Sequence, residues 1–495
     1  MDHNRREMDK QIDSLNQEAF CDEPVQPVMS KLAIFSLLLG ILSLFLFVLA
    51  GIPAVVIGII SILKIRRSGG ELRGKNIALA GLSISILFMV IFYLFWRIDA
   101  PPIPNDYTVA DLRSAPAEYA ESYEILKALI DENPDSSVVP AIELTSSDTK
   151  MIAEIKGILE TESTSEITKT LSYYAEEINQ IWADNERARD VIHRLNEFPE
   201  IADLTELNAN LEIMHVGRLT DFARLYEVYA HLKIEQRDTR AFVAELIEFD
   251  SACRKLSVNA RMLVPKIVYQ ICMNENILAA NAIVNDKQTP LSTIELLAGH
   301  FTPLTKEQTS LRNSILSEYL LMKNLFSKKS GQSIIAKILP LKKNSTLRLF
   351  RNSYDSWMDP EEGRQNIAGT KLSVWPDVYP FKEPYISSAN QERLTLLYRC
   401  YNPHINIVNI FRPLDKTIKA RKDSIIRMQI QDDLLQIVLN KRLGKDFSLK
   451  ARAYSDEYIV DVENRKIFSP GPDGKSNTKD DIILRINPEV LGWRG

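Results

Sequence analysis

The sequence predicts a mainly α protein with three parts: a two-helix transmembrane anchor, an exterior domain of solenoid-like helical hairpins, and a small α+β head with a short antiparallel sheet. Three observations predict this fold class. Two apolar blocks occupy residues 32–63 and 77–96. Residues 108–350 repeat apolar side chains at steps of three and four, as helices do. Short runs rich in β-branched residues near the C-terminus are typical of strands.

The apolar blocks predict the anchor. No charged side chain occurs between Leu32 and Leu63, and about 20 apolar residues suffice to cross a hydrocarbon core of roughly 30 Å. Pro53 cannot donate a helical hydrogen bond and is expected to break this block. The basic loop at residues 64–76 is expected in the cytoplasm. The prediction is a multi-pass protein of the inner (cytoplasmic) membrane, with the lipid bilayer as a partner and the large C-terminal region outside the cytoplasm.

The amino-acid sequence of these two apolar blocks is distinctive enough to compare with known families. It reads KLAIFSLLLGILSL at residues 31–44 and GIPAVVIGIISILKIRRSGGELRGKNIALAGLSISIL at residues 51–87. These segments resemble the bacterial membrane module called domain of unknown function 4190. The resemblance implies a small two-helix anchor, attached to varied partners and without an assigned activity. A plain anchor packed through small residues, and a sensing or transport role, are both compatible with it.

The remaining boundaries follow from shifts in composition. We predict a polar tail at 1–30, the transmembrane module at 31–97, and a stiff proline-rich spacer at 98–107. The helical domain is expected at 108–350, an aromatic and proline-rich strap at 351–390, and the head at 391–495. The strap is interpreted either as a ligand rim or as a loop held down by its own rings.

Within the helical domain, apolar residues at 211–232 and 242–249 flank a short turn and predict a helical hairpin. Thr305 and Gln308 form a capping-box pattern ahead of a further helix. Such hairpins in series favour an α-solenoid or an irregular bundle. In the head, a helix at 425–443 is followed by predicted strands at 457–462, 465–469 and 481–486.

The segment between the last two predicted strands is a candidate calcium loop. Its oxygen ligands would be Asp473, Asn477, Asp480 and Asp481, because calcium prefers six to eight oxygen atoms. The alternative is a pair of β-turns that use these residues for their backbone preferences. The loop is similar to the glycine-aspartate loop of type II secretion pseudopilins, and that resemblance implies a calcium site.

Net charge and the positions of the histidines and cysteines argue against some classes of function. The net charge of −5 argues against nucleic acid as a partner, which would require a concentrated basic face. The six histidines are scattered singly, and each is interpreted as a surface or hydrogen-bonded core residue. Cys253 and Cys272 lie in helical apolar contexts, which predicts buried free thiols, with a disulfide between them as the alternative.

No familiar catalytic motif stands out in the predicted exterior region. The leading hypothesis is therefore a membrane-anchored, non-enzymatic interaction or scaffolding protein with a protein partner in the bacterial envelope. An envelope hydrolase with an unrecognised site is the alternative, and a deep cleft with a Ser/His pair would favour it. An accessory protein of a secretion apparatus is the third hypothesis.

Overall fold

The computed structural model describes residues 27–46, 48–97, 102–130, 141–161, 164–207, 216–328, 343–358 and 412–493. The chain divides into two compact units, Met1–Asp99 and Ala100–Gly495. Most of the described residues are helical, which confirms the mainly α fold. The larger of the two described sheets has three antiparallel strands, which confirms the short antiparallel sheet.

In its described residues, the first unit contains three helices and two very short strands. Its elements are β1 (Val28–Met29), α1 (Lys31–Leu46), α2 (Val48–Arg67), β2 (Leu72–Arg73) and α3 (Lys75–Arg97). The strands pair in parallel, and each helix packs against the other two. A Cβ atom on Gly81 would lie only 2.7 Å from the Ser36 oxygen and the Leu37 nitrogen. Glycine is therefore required where the backbones of α1 and α3 meet.

The predicted transmembrane anchor is wrong. Helix α1 ends at Leu46 and has 16 residues, which at 1.5 Å each span about 24 Å of a core that is roughly 30 Å thick. The last turn of α2 carries Lys64, Arg66 and Arg67. Across the described ranges, no helix combines the length and the apolar character needed to cross a membrane. This finding also overturns the predicted multi-pass topology and the inner-membrane location with an exterior C-terminal region.

The second unit is a helical assembly that ends in a small sheet. Two 3₁₀ turns, Val109–Asp111 and Ala117–Tyr119, precede its first α-helix. The helices that follow are α4 (Ala120–Ile130), α5 (Ser146–Thr161), α6 (Thr164–Tyr173), α7 (Ala175–Asp184), α8 (Glu186–Asn196), α9 (Gly217–Gln236), α10 (Thr239–Asn259), α11 (Leu263–Asn285), α12 (Leu291–His300), α13 (Lys306–Thr309), α14 (Arg312–Lys328), α15 (Lys343–Trp357) and α16 (Arg412–Arg442). The C-terminal elements are β3 (Ile459–Asp461), β4 (Lys466–Ser469), β5 (Ile482–Arg485) and α17 (Pro488–Leu491).

The hydrophobic core of this unit forms around α11, which packs against α9, α10 and α16. Aromatic rings fill the space beside it: Trp182 stacks on Tyr229 with centroids 3.9 Å apart, and Tyr226 stacks on Phe249 at 4.5 Å. Helices α9 and α10 form the hairpin expected from the sequence, with Arg237 in the left-handed conformation at the turn. The packing of these helices therefore positions the surface residues that they carry.

Several finer expectations can be compared with the structure. The Thr305 capping box is present, because the Gln308 N–H donates to Thr305 Oγ1. Cys253 and Cys272 are buried free thiols, so the disulfide alternative is not observed. In the sheet, Ile467 lies opposite Leu484 in the antiparallel pairing of β4 and β5. Of the predicted strap, residues 359–390 lie outside the described residues, as do residues 1–26 of the predicted tail.

A buried ionic cluster joins α5, α9 and α11. The Lys156 ammonium group contacts the carboxylates of both Glu227 and Glu275, and both acids are almost fully buried. One lysine cannot neutralise two buried carboxylates. Burial and the neighbouring Glu275 carboxylate raise the pKa of Glu227 to about 8, although Lys156 opposes the shift. The pair of Glu227 and Glu275 therefore holds a proton more tightly than an exposed glutamate does.

The close contact of α1 and α3 predicts that Gly81→Ala will destabilise the first unit by roughly 1–3 kcal/mol, because the added methyl group meets backbone atoms. Hydrogen exchange of the α1 and α3 amides measures the loss of protection. The control is Gly157→Ala on α5, where a Cβ atom meets nothing within 4 Å and stability should rise by about 0.5–1 kcal/mol. Equal effects of the two substitutions would contradict the close contact.

The ionic cluster predicts a pH-dependent stability. The folded pKa of Glu227, about 8, exceeds its ordinary value of 4.5, so its contribution is fully present below pH 4.5 and is lost as the pH rises through 8. Urea unfolding followed by circular dichroism should show Glu227→Gln removing roughly 2–4 kcal/mol of this loss. Glu160→Gln, on an exposed neighbour of the same lysine, is the control and should leave the pH dependence unchanged.

Candidate functional site

A pocket of about 250 Å³ opens where α10, α12 and α13 meet the segments that precede α4 and follow α8. We call it the basic pocket. Its lining residues are Arg113, Pro199, Glu200, Ser251, Arg254, Lys255, Val258, Asn259, His300 and Gln308. They come from parts of the chain up to about 195 positions apart, so only the tertiary fold brings them together.

Asp250 organises one wall of the basic pocket. Its carboxylate is fully buried and accepts hydrogen bonds from Arg254 Nε at 2.5 Å, His300 Nε2 at 2.9 Å and Asn276 Nδ2 at 3.3 Å. Burial opposes its ionisation, but Arg254 and His300 together hold the pKa of Asp250 below its ordinary value. An ionised carboxylate only accepts hydrogen bonds, so His300 Nε2 is the donor in this pair.

The two cations of α10 that line the basic pocket are held in place by carbonyl groups. Arg254 lies one helical turn after Asp250, and its Nη1 donates to the Thr302 carbonyl at 2.9 Å. Lys255 Nζ donates to the carbonyls of Asn196 and Phe198, at 3.1 and 2.8 Å, and burial lowers its pKa. Both side chains are thus fixed before any ligand arrives, which reduces the entropic cost of binding.

A further lysine lies behind the pocket. Lys266 is almost fully buried, and its Nζ donates to the carbonyls of Ser257, Glu307 and Gln308. These bonds tie the end of α10 to α13, and Gln308 lines the pocket. Burial, with a smaller contribution from Arg113, lowers the pKa of Lys266 to about 7. Its hydrogen bonds therefore connect two pocket walls from within the core.

The charge balance of the basic pocket favours an anion. Among the described residues that line it, Arg113, Arg254 and Lys255 are cationic and Glu200 is the one carboxylate. Glu200 accepts a hydrogen bond from Asn259 at 3.2 Å, and the adjacent Asp250 is paired with Arg254. The volume is below the roughly 300–1,000 Å³ of typical small-molecule sites. The pocket suits a single acidic group, such as a carboxylate or sulfate.

Few sequence patterns point to this site. His300 was expected to be a surface or hydrogen-bonded core residue, and its hydrogen bond to Asp250 agrees with that expectation. The one local signal is the four-residue spacing of Asp250 and Arg254, which places both on the same helix face. Arg113 and Glu200 lie outside any recognisable pattern and reach the pocket only through packing.

The four predicted calcium ligands lie in the loop between β4 and β5, where their side chains make hydrogen bonds within the protein. Asp473 accepts from the Lys475 N–H at 2.8 Å, and Asp480 accepts from the Asp473 N–H at 3.3 Å. Asp481 accepts from the Asn477 N–H, and Asn477 accepts from Lys466 Nζ, both at 2.8 Å.

The backbone of this loop is shaped as turns. Gly474 and Asn477 adopt left-handed conformations with φ of 66° and 64°. A Cβ atom on Gly471 would collide with Asp480. In the described part of the chain, no cluster of three or more His, Cys, Asp or Glu side chains is arranged to hold a metal ion. Calcium binding by Asp473, Asn477, Asp480 and Asp481 stays a prediction.

If the loop binds calcium, on the order of 1 mM calcium should raise the melting temperature of the wild-type chain. Replacing Asp473, Asp480 and Asp481 together by Asn should remove that shift, because a neutral amide attracts the cation more weakly. Asp446→Asn, on an exposed residue outside the loop, is the control. A calcium shift that survives the triple replacement would leave the turn interpretation in place.

Comparison with known proteins concerns the first unit. A family model described as Domain of unknown function (DUF4190) matches residues 32–95. The resemblance inferred from the sequence is therefore confirmed for this segment, which contains most of α1 and α3 and all of α2. No curated protein matches the chain, and no solved structure matches it. The second unit, with the basic pocket, lies outside the DUF4190 match.

Proposed function

We propose that this chain is a non-enzymatic interaction protein, whose second unit binds a protein partner through an acidic group seated in the basic pocket. The observation that carries the proposal is the convergence of Arg113, Arg254 and Lys255 on one small pocket, with Glu200 as the single lining carboxylate among the described residues. Proteins that recognise carboxylates commonly use such cationic side chains, because charge-assisted hydrogen bonds are strong.

Two side chains, Lys255 and Arg113, can donate hydrogen bonds to an incoming acidic group. An ammonium group carries three protons, and two of those on Lys255 are used by backbone carbonyls, so one is left for a ligand. The Arg113 side chain is exposed, and its guanidinium can offer two parallel N–H donors. Arg254, paired with Asp250, forms the neighbouring wall. The arrangement supports recognition of an acidic group without a chemical step.

The proposal is tested with sulfate, which is a compact anion that does not titrate near neutral pH. Isothermal titration calorimetry at low ionic strength should show saturable binding to the wild-type chain. Arg113→Glu should weaken binding about tenfold, because it replaces an attractive charge with a repulsive one. The substitution spares the Arg113 backbone N–H, which donates to Asn313.

The matched control is Arg240→Glu, which reverses an exposed arginine in the first turn of α10, away from the pocket. It changes the net charge of the protein by the same amount. Equal weakening by both substitutions would show a general effect of charge and would contradict the proposed site. Absence of saturable sulfate binding by the wild-type chain would contradict it as well.

A hydrolase is the second candidate function, and the hydrogen bond between His300 and Asp250 favours it. A histidine oriented by a carboxylate can act as a general base, and Ser251 lines the same pocket. The candidate ranks second because Asp250 is already neutralised by Arg254 and the pocket is small. Turnover of an aryl ester that His300→Gln abolishes would reverse this ranking.

A further inference from the structure

A second pocket, of about 410 Å³, lies on the side of α13 that also faces α15 and α16. Its lining residues are Lys306, Thr309, Ser310, Leu311, Arg312, Trp357, Met358, Lys422, Ile425, Ile426 and Gln429. The basic pocket includes Gln308 from α13, so this short helix contributes to both sites. The two pockets share no lining residue.

The floor of the second pocket is apolar. Leu311, Trp357 and Met358 are buried, and Ile425 and Ile426 of α16 extend the apolar surface toward the opening. An indole ring beside aliphatic and thioether groups offers polarizable surface to a hydrocarbon or aromatic ligand. The volume also falls within the roughly 300–1,000 Å³ range of small-molecule pockets. A ligand that fills this space must therefore carry an apolar body.

The charged side chains of the pocket all have the same sign. Lys306, Arg312 and Lys422 are among its lining residues, and none of the described residues that line it is acidic. Arg312 also donates from Nη1 to the Asp111 carbonyl at 3.4 Å, which positions its guanidinium. Glu307 and Asp423 are adjacent to two of these cations in the sequence but do not line the pocket. The charge pattern selects an anion.

We propose that the second pocket binds a small amphiphilic anion, with its apolar body on the floor formed by Leu311, Trp357 and Met358 and its acidic head beside Lys306, Arg312 and Lys422. This ligand class differs from that of the basic pocket, which is smaller and has Pro199 and Val258 as its apolar lining residues. The inference stands on a separate set of residues and does not depend on the proposed protein partner.

The test uses octanoate as the probe, with octanamide and acetate as matched compounds that lack the charge or the apolar body. Calorimetric titration of the full chain should show saturable binding of octanoate, at least about tenfold tighter than either comparison compound. Lys422→Glu should weaken octanoate binding severalfold by reversing a charge beside the head group. Gln429→Trp, which places an indole in the pocket, should abolish it.

The control is Lys445→Glu, which reverses an exposed lysine just beyond α16 that does not line the pocket, and it should leave octanoate binding unchanged. The first unit exposes apolar side chains such as Phe35 and Leu38, so octanoate could associate there as well. Binding that persists in both pocket variants would locate it elsewhere and overturn the inference. Octanamide binding as tightly as octanoate, or equal weakening by Lys445→Glu, would also overturn it.

Discussion

The second unit depends on how its central helix satisfies the polar side chains that it carries into the core. Helix α11 is almost entirely buried, and an unpaired polar group at such a position costs on the order of 1–3 kcal/mol. Five such residues make a polar contact with another element: Lys266 and Gln270 bind carbonyls of α13, Glu275 pairs with Lys156 of α5, Asn276 binds Asp250 of α10, and Asn281 binds the Arg485 carbonyl of β5. Hydrogen bonding therefore fixes which elements surround α11.

This constraint also shapes both pockets. Helix α13 has only one turn and could not hold its position through its own hydrogen bonds alone. Lys266 and Gln270 bind its carbonyls from behind, so its opposite sides can present Gln308 to the basic pocket and Lys306 to the second pocket. Two sites of the same charge but different polarity thus share one short helix.

The side chains of the loop between β4 and β5 are compatible with both a calcium site and a pair of β-turns. Asp, Asn and Gly are favoured in turns because their side chains or backbones accept left-handed and hydrogen-bonded conformations. The same oxygens are the ligands that calcium prefers. In the structure, Asp473, Asp480 and Asp481 accept backbone N–H groups of their own loop. Those hydrogen bonds explain the turn geometry, and only a titration with calcium separates the two uses.

The sequence by itself determined the local features of this protein. Apolar periodicity located the α9–α10 hairpin and the helix of the head, and the Thr305 capping box and the three strands followed from short patterns. The resemblance of residues 32–95 to DUF4190 was recognisable from their sequence motifs. These features depend on residues within a few positions of one another, where chain geometry alone decides which side chains meet.

Only the tertiary structure decided where helices end within an apolar block and which distant residues converge. Total hydropathy did not show that the first apolar block holds the two helices Lys31–Leu46 and Val48–Arg67, or that no described helix is long and apolar enough to cross a membrane. The basic pocket joins Arg113 to Gln308 across about 195 positions. Such contacts result from packing around α11, because the pairing of buried polar groups depends on the whole arrangement of helices and not on spacing along the chain.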